Sequence, residues 1–331
     1  MEQPVFFDTS DGQKLRFNGI SSYLKTRFGE KIVKLSVDGG FTCPNRDGSK
    51  GHGGCAFCSA SGSGDMASGS GDIHADLSSQ MELLSSKWPS AKYMAYFQSH
   101  TNTYAPVSEL RTKFESALTQ PGVVGIAIAT RPDCITDEVL NYLCELNERT
   151  FMWVELGLQT IHSQTQRSMN LCYGTNDYDE TFSRLTAAGI RVVTHLILGL
   201  PGETRTEMAE SVQHVCANAP FGLKLHMFNL VKGSPLSHIC PDYVPFSSID
   251  EYTDLVIDML EMVPKQVTIH RISGDAPRAT LIAPEWSYRK RTILNNIHHR
   301  MEERNTWQGR LVQKRLAEAA GDNESRLKTE D

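Results

Sequence analysis

The sequence lacks the features of a disulfide-stabilised or membrane-spanning protein. It has eight cysteines in 331 residues, too few for a disulfide framework in a chain of this length. Its most apolar run, residues 192–200, is short and contains His195, whereas a membrane-spanning helix needs about 20 consecutive apolar residues. Residues 1–10 have neither a basic start nor a long apolar run, so no secretory signal is expected. These absences predict a cytoplasmic protein in a reducing compartment.

The chain also lacks an overall positive charge. Its net charge is -6, which argues against a protein that coats nucleic acid with its whole surface. Residues 271–315 differ, because ten basic and four acidic side chains give this segment a local charge of +6, with Trp286 and Tyr288 interleaved. Two interpretations stay open: a surface that contacts a phosphate backbone and stacks on bases, or a solvated helix that ends the protein.

What the sequence does contain is a regular alternation of apolar strands and amphipathic helices. Strands are predicted at residues 31–37, 92–98, 123–130, 151–158, 191–198, 222–230 and 266–272. Helices are predicted at residues 73–87, 106–118, 136–147, 177–188, 204–217, 248–262 and 289–305. Such alternation is typical of a parallel sheet with right-handed crossovers. We therefore expect an α/β fold, a partial (βα)6 TIM-like barrel.

Three regions are expected along the chain. Residues 1–30 would form an N-terminal helical segment, residues 31–247 the barrel, and residues 248–331 a C-terminal extension. The extension would contain a helix, the strand at 266–272 and a basic helical tail, and would cover the open side of the barrel. Residues 59–72, rich in glycine and serine, are expected to be mobile.

Three of the cysteines lie close together, directly after the first predicted strand. Cys43, Cys55 and Cys58 fall in the segment CPNRDGSKGHGGCAFC at residues 43–58. A Cys-x-x-Cys turn lets two thiolates reach one metal ion or cluster, and Cys43 supplies a third. A structural zinc site is normally closed by four ligands, whereas a catalytic cluster keeps one iron open. The alternative is a Cys3His zinc knuckle with His52 as the fourth ligand.

The cysteine pattern resembles that of the radical S-adenosylmethionine (SAM) enzymes. The long gap between the first two cysteines, with GGFTCPNRDG at residues 39–48 and GGC at 53–55, is similar to the YhcC-type subgroup, relatives of the radical-SAM subunit of the elongator complex. The resemblance covers about residues 19–286. It implies that Cys43, Cys55 and Cys58 hold a [4Fe-4S] cluster and that SAM chelates the fourth iron.

The resemblance also implies an activity. One electron from an external donor of the flavodoxin or ferredoxin type would cleave SAM to methionine and a 5′-deoxyadenosyl radical, which would abstract a hydrogen atom from the substrate. The relatives of the subgroup suggest tRNA as the substrate, modified at a wobble uridine. Two alternatives stay open: a radical SAM enzyme that acts on a small metabolite, and a zinc-stabilised RNA-binding module without redox chemistry.

Polar residues near the carboxyl ends of the strands are the candidates for SAM and substrate binding, because ligand sites of parallel α/β folds lie there. Glu155 and Gln159 share one face of their strand, and a carboxylate on an apolar buried strand needs a partner. The resemblance gives these two residues contacts with SAM. Gln98, Ser99 and Thr130, at the ends of the two preceding strands, are further candidates for cofactor binding.

The resemblance places two more residues beside the adenine of SAM: Phe57, between two cluster cysteines, and Gly199, where the missing side chain would let a flat base lie against the backbone. On strand 222–230, Lys224 and His226 have the parity expected to face the lumen. With Glu155 they are the catalytic candidates. Weaker candidates are Cys134, His195, Lys232, His270 and Arg271.

Overall fold

The fold is described from a computed structural model of the chain. The structure describes residues 4–8, 14–59, 62, 69–274 and 276–314. Most of the glycine- and serine-rich stretch 59–72, together with Asp275 and Arg315, lies outside the described residues, so mobility of that stretch stays a prediction.

The described residues form eleven strands in three sheets. Strands β1 (Phe7–Asp8) and β2 (Lys14–Leu15) make a small antiparallel pair. The central sheet contains β3 (Ile32–Val37), β4 (Lys92–Phe97), β5 (Val123–Thr130), β6 (Phe151–Gln159), β7 (Arg191–Leu198), β8 (Gly222–Met227) and β10 (Thr268–Arg271). Strands β9 (Leu230–Val231) and β11 (Leu281–Ala283) form a second antiparallel pair just beyond the end of β8.

Helices connect the strands of the central sheet. The described helices are α1 (Ile20–Phe28), α2 (Ile73–Ser85), α3 (Val107–Thr119), α4 (Asp137–Arg149), α5 (Ser163–Ser168), α6 (Thr175–Ala187), α7 (Arg205–Ala217), α8 (Leu236–Ile239), α9 (Ile249–Met262) and α10 (Lys290–Glu303). Side chains of Thr136, Thr204 and Ser248 accept backbone hydrogen bonds at the starts of α4, α7 and α9, as N-cap residues do. Within the described ranges, every helix is too short or too polar to cross a bilayer.

The seven strands of the central sheet are all parallel, in the order β10-β8-β7-β6-β5-β4-β3. Helix α1 contacts both edge strands, and Gly19, just before it, forms a bridge with Ile269 of β10. A helix can touch both edges only if the sheet curls, so the architecture is a half-barrel. The predicted α/β class and the TIM-like partial barrel are confirmed.

The sheet has one strand more than predicted. The segment 266–272 was expected to cover the open side of the barrel, but β10 pairs in parallel with β8 and continues the sheet. Its backbone groups bond to β8 while Val267 and Ile269 are buried. Because this segment is buried and hydrogen-bonded to β8, it is part of the sheet. The sequence pattern predicts a strand here but does not say whether the strand joins the sheet or lies apart from it.

Two apolar layers lie on the two faces of the sheet. The larger one packs the outer helices on the sheet and includes Leu35, Leu156 and Val212. The smaller one lies inside, where Leu24 of α1 and Trp153 of β6 belong to one cluster, and most of its strand residues come from the amino-terminal halves of the strands. Helix α1 therefore seals the amino-terminal end of the half-barrel. The inner face towards the carboxyl end is left for polar side chains.

Candidate functional site

A cavity of about 380 Å³ opens at the carboxyl ends of the strands. It is lined by residues of β3 to β8 and of the loops that follow them, the position expected for a ligand site in this class of fold. Of the predicted site residues, it brings together Cys43, Cys55, Phe57, Cys58, Gln98, Thr130, Glu155, Gln159 and His226.

The three thiols lie on the loop after β3, at one wall of the cavity. The backbone N–H of Cys58 donates to the carbonyl of Cys55 at 3.0 Å, which forms the tight Cys-x-x-Cys turn. Buried Asn45 contacts the Cys55 Sγ at 3.6 Å. The hydrogen bond between the two thiols lowers the pKa of Cys55 to about 7. The same hydrogen bond, together with burial, raises the pKa of Cys58 well above its usual value. Cys55 is therefore the member of the pair that ionises first, and the thiolate is the form that binds a metal.

The donor set fits an iron-sulfur cluster better than a zinc knuckle. His52, the proposed fourth zinc ligand, packs its ring against Gly48 and is not part of the cavity wall. Among the residues that the structure describes, no group of three or more His, Cys, Asp and Glu is arranged to hold a single ion. Three thiols on one wall, facing an open cavity, suit a cluster with one iron left for another ligand.

A buried cation lies next to the thiols. Arg131, directly after β5, donates from Nε and Nη2 to the two carboxylate oxygens of Asp133 at 2.9 and 2.8 Å. Its Nη1 lies 3.9 Å from the Sγ of Cys43. Lys50, from the loop of the thiols, also binds Asp133, at 2.7 Å. Although burial opposes ionisation, the contact with Arg131 lowers the pKa of Asp133, so the carboxylate is charged.

A layer of ionised and hydrogen-bonded side chains lies below the thiols, centred on Glu155. This carboxylate is fully buried. Its Oε1 accepts from the Trp153 indole N–H at 2.8 Å, and its Oε2 accepts from His195 Nε2 at 2.8 Å and from Lys224 Nζ. Lys224 also donates to the hydroxyl of Tyr96 at 2.8 Å. Glu155 therefore has the partners that a buried carboxylate needs.

The charges in this layer set its protonation states. Burial alone would raise the pKa of Glu155, but Lys224 and Lys34 hold it well below its usual range, so Glu155 is ionised. Burial and the charge of Lys224 lower the pKa of His195 to about 4. Because a carboxylate can only accept, neutral His195 carries its proton on Nε2, and its Nδ1 is an acceptor.

His226 is also neutral, but its proton is on the other ring nitrogen. Burial and the charge of Arg271 lower the pKa of His226 well below its usual range, and Arg271 Nη1 donates to His226 Nε2 at 2.9 Å. The proton of the neutral ring is therefore on Nδ1, which is a donor. Both imidazoles line the cavity, one offering an acceptor and the other a donor.

Three predicted site residues are not part of the cavity wall. Ser99 is buried, and Lys224 reaches the site only through Glu155 and Tyr96. A Cβ on Gly199 would lie 2.7 Å from the ring of Phe246, so the close approach that Gly199 allows is to a side chain of the protein itself. Its assignment to adenine stays a prediction.

The weaker candidates are placed at different depths. His195 and Arg271 line the cavity. His270 packs edge-on against the Trp153 ring, with ring centroids 5.1 Å apart. Buried Cys134 lies beside Asp133, and exposed Lys232 contacts the carbonyl of Ala279 at 3.4 Å.

Sequence reasoning missed several residues of the cavity wall. Lys34 alternates with buried Val33 and Leu35 on β3, so the parity argument that selected Lys224 could have found it. Arg131 directly follows Thr130 at the carboxyl end of β5, a position that marks it as a polar group near the site. Tyr173 carries no such signal, because its place on the wall depends on how separate loops pack together.

Two family models match the chain. A family model described as "Radical SAM superfamily" matches residues 45–215, and one described as "Radical_SAM C-terminal domain" matches residues 220–303. The chain is 45% identical to the uncharacterized protein YtqA of Bacillus subtilis over 319 residues, 95% of this chain and 98% of that protein. It is 36% identical to protein YhcC of Escherichia coli over 293 residues, 88% of this chain and 94% of that protein.

A solved structure shares the fold. The archaeal Methanocaldococcus infernus Elp3 with an N-terminal deletion matches with a TM-score of 0.60 and 17% sequence identity, over 84% of this chain and 64% of that chain. At this identity the match concerns the path of the backbone alone.

Proposed function

The chain belongs to the radical SAM superfamily, as its cysteine pattern predicted, and from this premise we propose that it modifies a wobble uridine of tRNA. Members of the superfamily use SAM and a [4Fe-4S] cluster, so the predicted cofactors are confirmed. When bound, these two groups supply reductive cleavage of SAM and abstraction of a hydrogen atom from the substrate. The residues of the chain bind, orient and shield the reacting groups.

The residues for the cofactors are assigned by their place on the wall. Cys43, Cys55 and Cys58 would hold the cluster, with one iron open to SAM. Phe57, Gln98, Thr130 and Gln159 line the same cavity and would contact SAM. A Cβ on Gly157 would lie 2.5 Å from the Gln159 side-chain amide, so the glycine leaves room for this amide to lie against the strand.

The ionic layer, the set of ionised and hydrogen-bonded side chains around Glu155, supports the proposal that the substrate presents a polar group. Glu155 with its partners forms a fixed polar floor, and His195 Nδ1 and His226 Nδ1 present an acceptor and a donor. A base edge, which carries both donors and acceptors, can satisfy such groups, whereas an aliphatic chain would leave them unpaired at a cost of about 1–3 kcal/mol each.

The size of the cavity supports a substrate that enters from outside. Small-molecule pockets have volumes of ~300–1,000 Å³, so about 380 Å³ accommodates one drug-sized ligand, and SAM is such a ligand. The substrate must then enter through the mouth, with a single base reaching past SAM to the two imidazoles while the rest of the substrate stays outside. A nucleotide turned out of its stack does this, as in other enzymes that act on bases.

The observation that carries the proposal is a basic aromatic surface beside the mouth, formed by Arg278, Tyr288, Arg289, Lys290 and Arg291. All five side chains are exposed. The guanidinium carbons of Arg278 and Arg289 lie 4.6 and 5.8 Å from the centre of the Tyr288 ring. The chain reaches this surface two residues after Ala276, which lines the cavity. Cations grouped around an aromatic ring suit a nucleic-acid backbone and its bases.

The structure divides the basic C-terminal segment into two parts. Arg300, Arg304 and Arg310 form ion pairs with acidic residues of α9 and stabilise the packing of the C-terminal residues on that helix. The surface beside the mouth is therefore the part of the segment that we assign to tRNA.

A binding experiment tests this surface. We expect the triple variant R289A/K290A/R291A to bind tRNA more weakly in a gel shift and to show a weaker salt dependence, by about 0.9 in log–log slope for each phosphate that is no longer neutralised. The matched control is K31A/K87A/K92A, which removes three charges at the amino ends of β3 and β4, where Lys31 and Lys87 lie over the ring of Trp88.

Nucleoside analysis tests the reaction. Mass spectrometry of tRNA nucleosides from a deletion strain should show loss of a modified wobble uridine or accumulation of its precursor. Unchanged nucleosides, together with equal tRNA binding by both triple variants, would exclude tRNA and favour a small metabolite.

The proposal includes a cytoplasmic location and an external electron donor of the flavodoxin or ferredoxin type. None of the eight cysteines, all of which lie in the described part of the chain, forms a disulfide, as is usual in a reducing compartment. Such a compartment also contains the low-potential donors that this chemistry requires.

A further inference from the structure

We propose that Arg131 is a positioning residue that raises the reduction potential of the cluster through its contact with Cys43. The inference rests on the cluster as assigned under the proposed function and is independent of tRNA as the substrate. It gives a role to a buried cation that the sequence analysis did not select.

The guanidinium of Arg131 is fixed on three sides. Two of its nitrogens form a fork with Asp133, the third lies 3.9 Å from Cys43 Sγ, and its central carbon lies 4.8 Å from the centre of the Tyr173 ring. The side chain is only 8% exposed. A charge held in this way does not move when the neighbouring group changes its own charge.

The charges around Arg131 leave an excess of one positive charge. Asp133 is shared between Arg131 and Lys50, so the three groups together carry a charge of +1. The Lys50 side chain is 43% exposed and is screened by solvent, whereas Arg131 is screened much less. The excess charge is therefore felt mainly at Arg131, the member of the three that contacts a thiol ligand.

Reduction adds one electron from the external donor to the cluster, and no bond to the protein forms or breaks. The cluster with its three thiolates becomes more negative by one charge. A fixed cation and an N–H donor near a ligand sulfur both stabilise this more negative state, and cluster potentials depend on net charge, on hydrogen bonds to the sulfurs and on solvent exposure. Arg131 supplies the first two and helps to exclude solvent.

The test is a redox titration of the reconstituted holoenzyme without SAM, followed by electron paramagnetic resonance, after iron and sulfide analysis of each variant. For Arg131→Gln we expect about a tenfold fall in the ratio of reduced to oxidised cluster at a fixed ambient potential, which equals about 59 mV for a one-electron couple. Arg131→Lys keeps the charge but loses the two parallel hydrogen bonds to Asp133. Its reduction potential should lie between those of Arg131→Gln and the wild type.

Asp133→Asn should shift the potential in the opposite direction, because it removes the negative partner and leaves both cations in place. The matched control is Arg111→Gln, since Arg111 also pairs with a carboxylate, Glu145, at 2.7 Å and lies 4.4 Å from the centre of the Tyr142 ring. Arg111 is on α3, away from the thiols, and its substitution should leave the potential unchanged.

Opposite shifts in Arg131→Gln and Asp133→Asn support the proposal. Equal potentials in Arg131→Gln and Arg111→Gln, each with a full complement of iron, would overturn it. If Arg131→Gln does not assemble a cluster, the sign of the shift in Asp133→Asn decides, and a shift to lower potential would refute the role. Failure of the proposed tRNA chemistry would leave all these potentials as they are.

Discussion

The two ends of the half-barrel are built from the same strands but have different physical tasks. On β6, Trp153 belongs to the apolar layer sealed by α1, and Glu155, on the same face two residues later, is the centre of the ionic layer. The amino-terminal end is stabilised by burial of apolar surface, and the carboxyl end keeps charges and thiols in place. Substitutions at the first end should therefore cost stability alone, and those at the second should cost chemistry, with a loss of stability as well where a buried charge loses its partner.

The largest effect is expected at the thiols. Cys55→Ala removes one of three ligands, so the protein should lose its brown colour and SAM cleavage while its thermal unfolding stays cooperative. Iron analysis and detection of the products of SAM cleavage are the measurements. Full cleavage by this variant would show that the carboxyl end does not hold the cluster in the proposed way.

Glu155→Ala tests the buried charges of the carboxyl end. The variant leaves Lys224 buried without its carboxylate, which typically costs about 3–5 kcal/mol of stability. We expect near-normal colour, since Glu155 touches no thiol, but weaker SAM binding by calorimetry. Unchanged SAM affinity would remove Glu155 from the binding site and leave it as a structural residue.

Leu24→Ala tests the amino-terminal end. The buried side chain packs in the layer sealed by α1, and its truncation should cost about 2–5 kcal/mol in urea unfolding. Cluster content and SAM cleavage per folded molecule should stay close to those of the wild type. A loss of SAM cleavage without a loss of stability would contradict the claim that the amino-terminal end serves stability and not chemistry.

The smallest effect at neutral pH is a pH dependence of stability that develops only in acid. Because the folded pKa of His195 is lowered to about 4, the unfolded chain takes up this proton first, below about pH 6.5. Stability is then full above this pH and falls towards pH 4, by at most about 1.4 kcal/mol per pH unit for one group. The stability of His195→Gln, measured by denaturant titrations at several pH values, should fall less steeply with decreasing pH. A slope identical to that of the wild type would mean that the histidine is not buried in its neutral form.

The elements of the fold could be predicted because their residues carry local signals. Apolar runs predicted strands such as β5 and β7 with the observed bounds, and the helix predicted to start at residue 136 begins one residue later, with Thr136 as its N-cap. The place of β10 in the sheet was missed, because a pattern of apolar residues specifies a strand but not its neighbour. The half-barrel itself followed from the alternation of strands and helices.

The site could be predicted only where its reactive side chains lie close together in the sequence or have a fixed position on a strand. The thiols are close in sequence, and the parity of Glu155 on its strand placed it in the lumen. Arg131 with Asp133 and Lys50 joins two loops that are distant along the chain, so this ion pair network exists only after folding. Gly199 was assigned to a ligand because glycine indicates a close approach, but the sequence does not say to which group.

The central claim is that the three thiols hold an iron-sulfur cluster with one open iron. Metal analysis of the wild-type chain, purified without oxygen, tests it most directly, together with the absorption spectrum. We predict a brown protein with iron and sulfide equivalent to one [4Fe-4S] cluster per chain and a spectrum that changes when SAM is added. A colourless protein with one equivalent of zinc and no iron would contradict the claim.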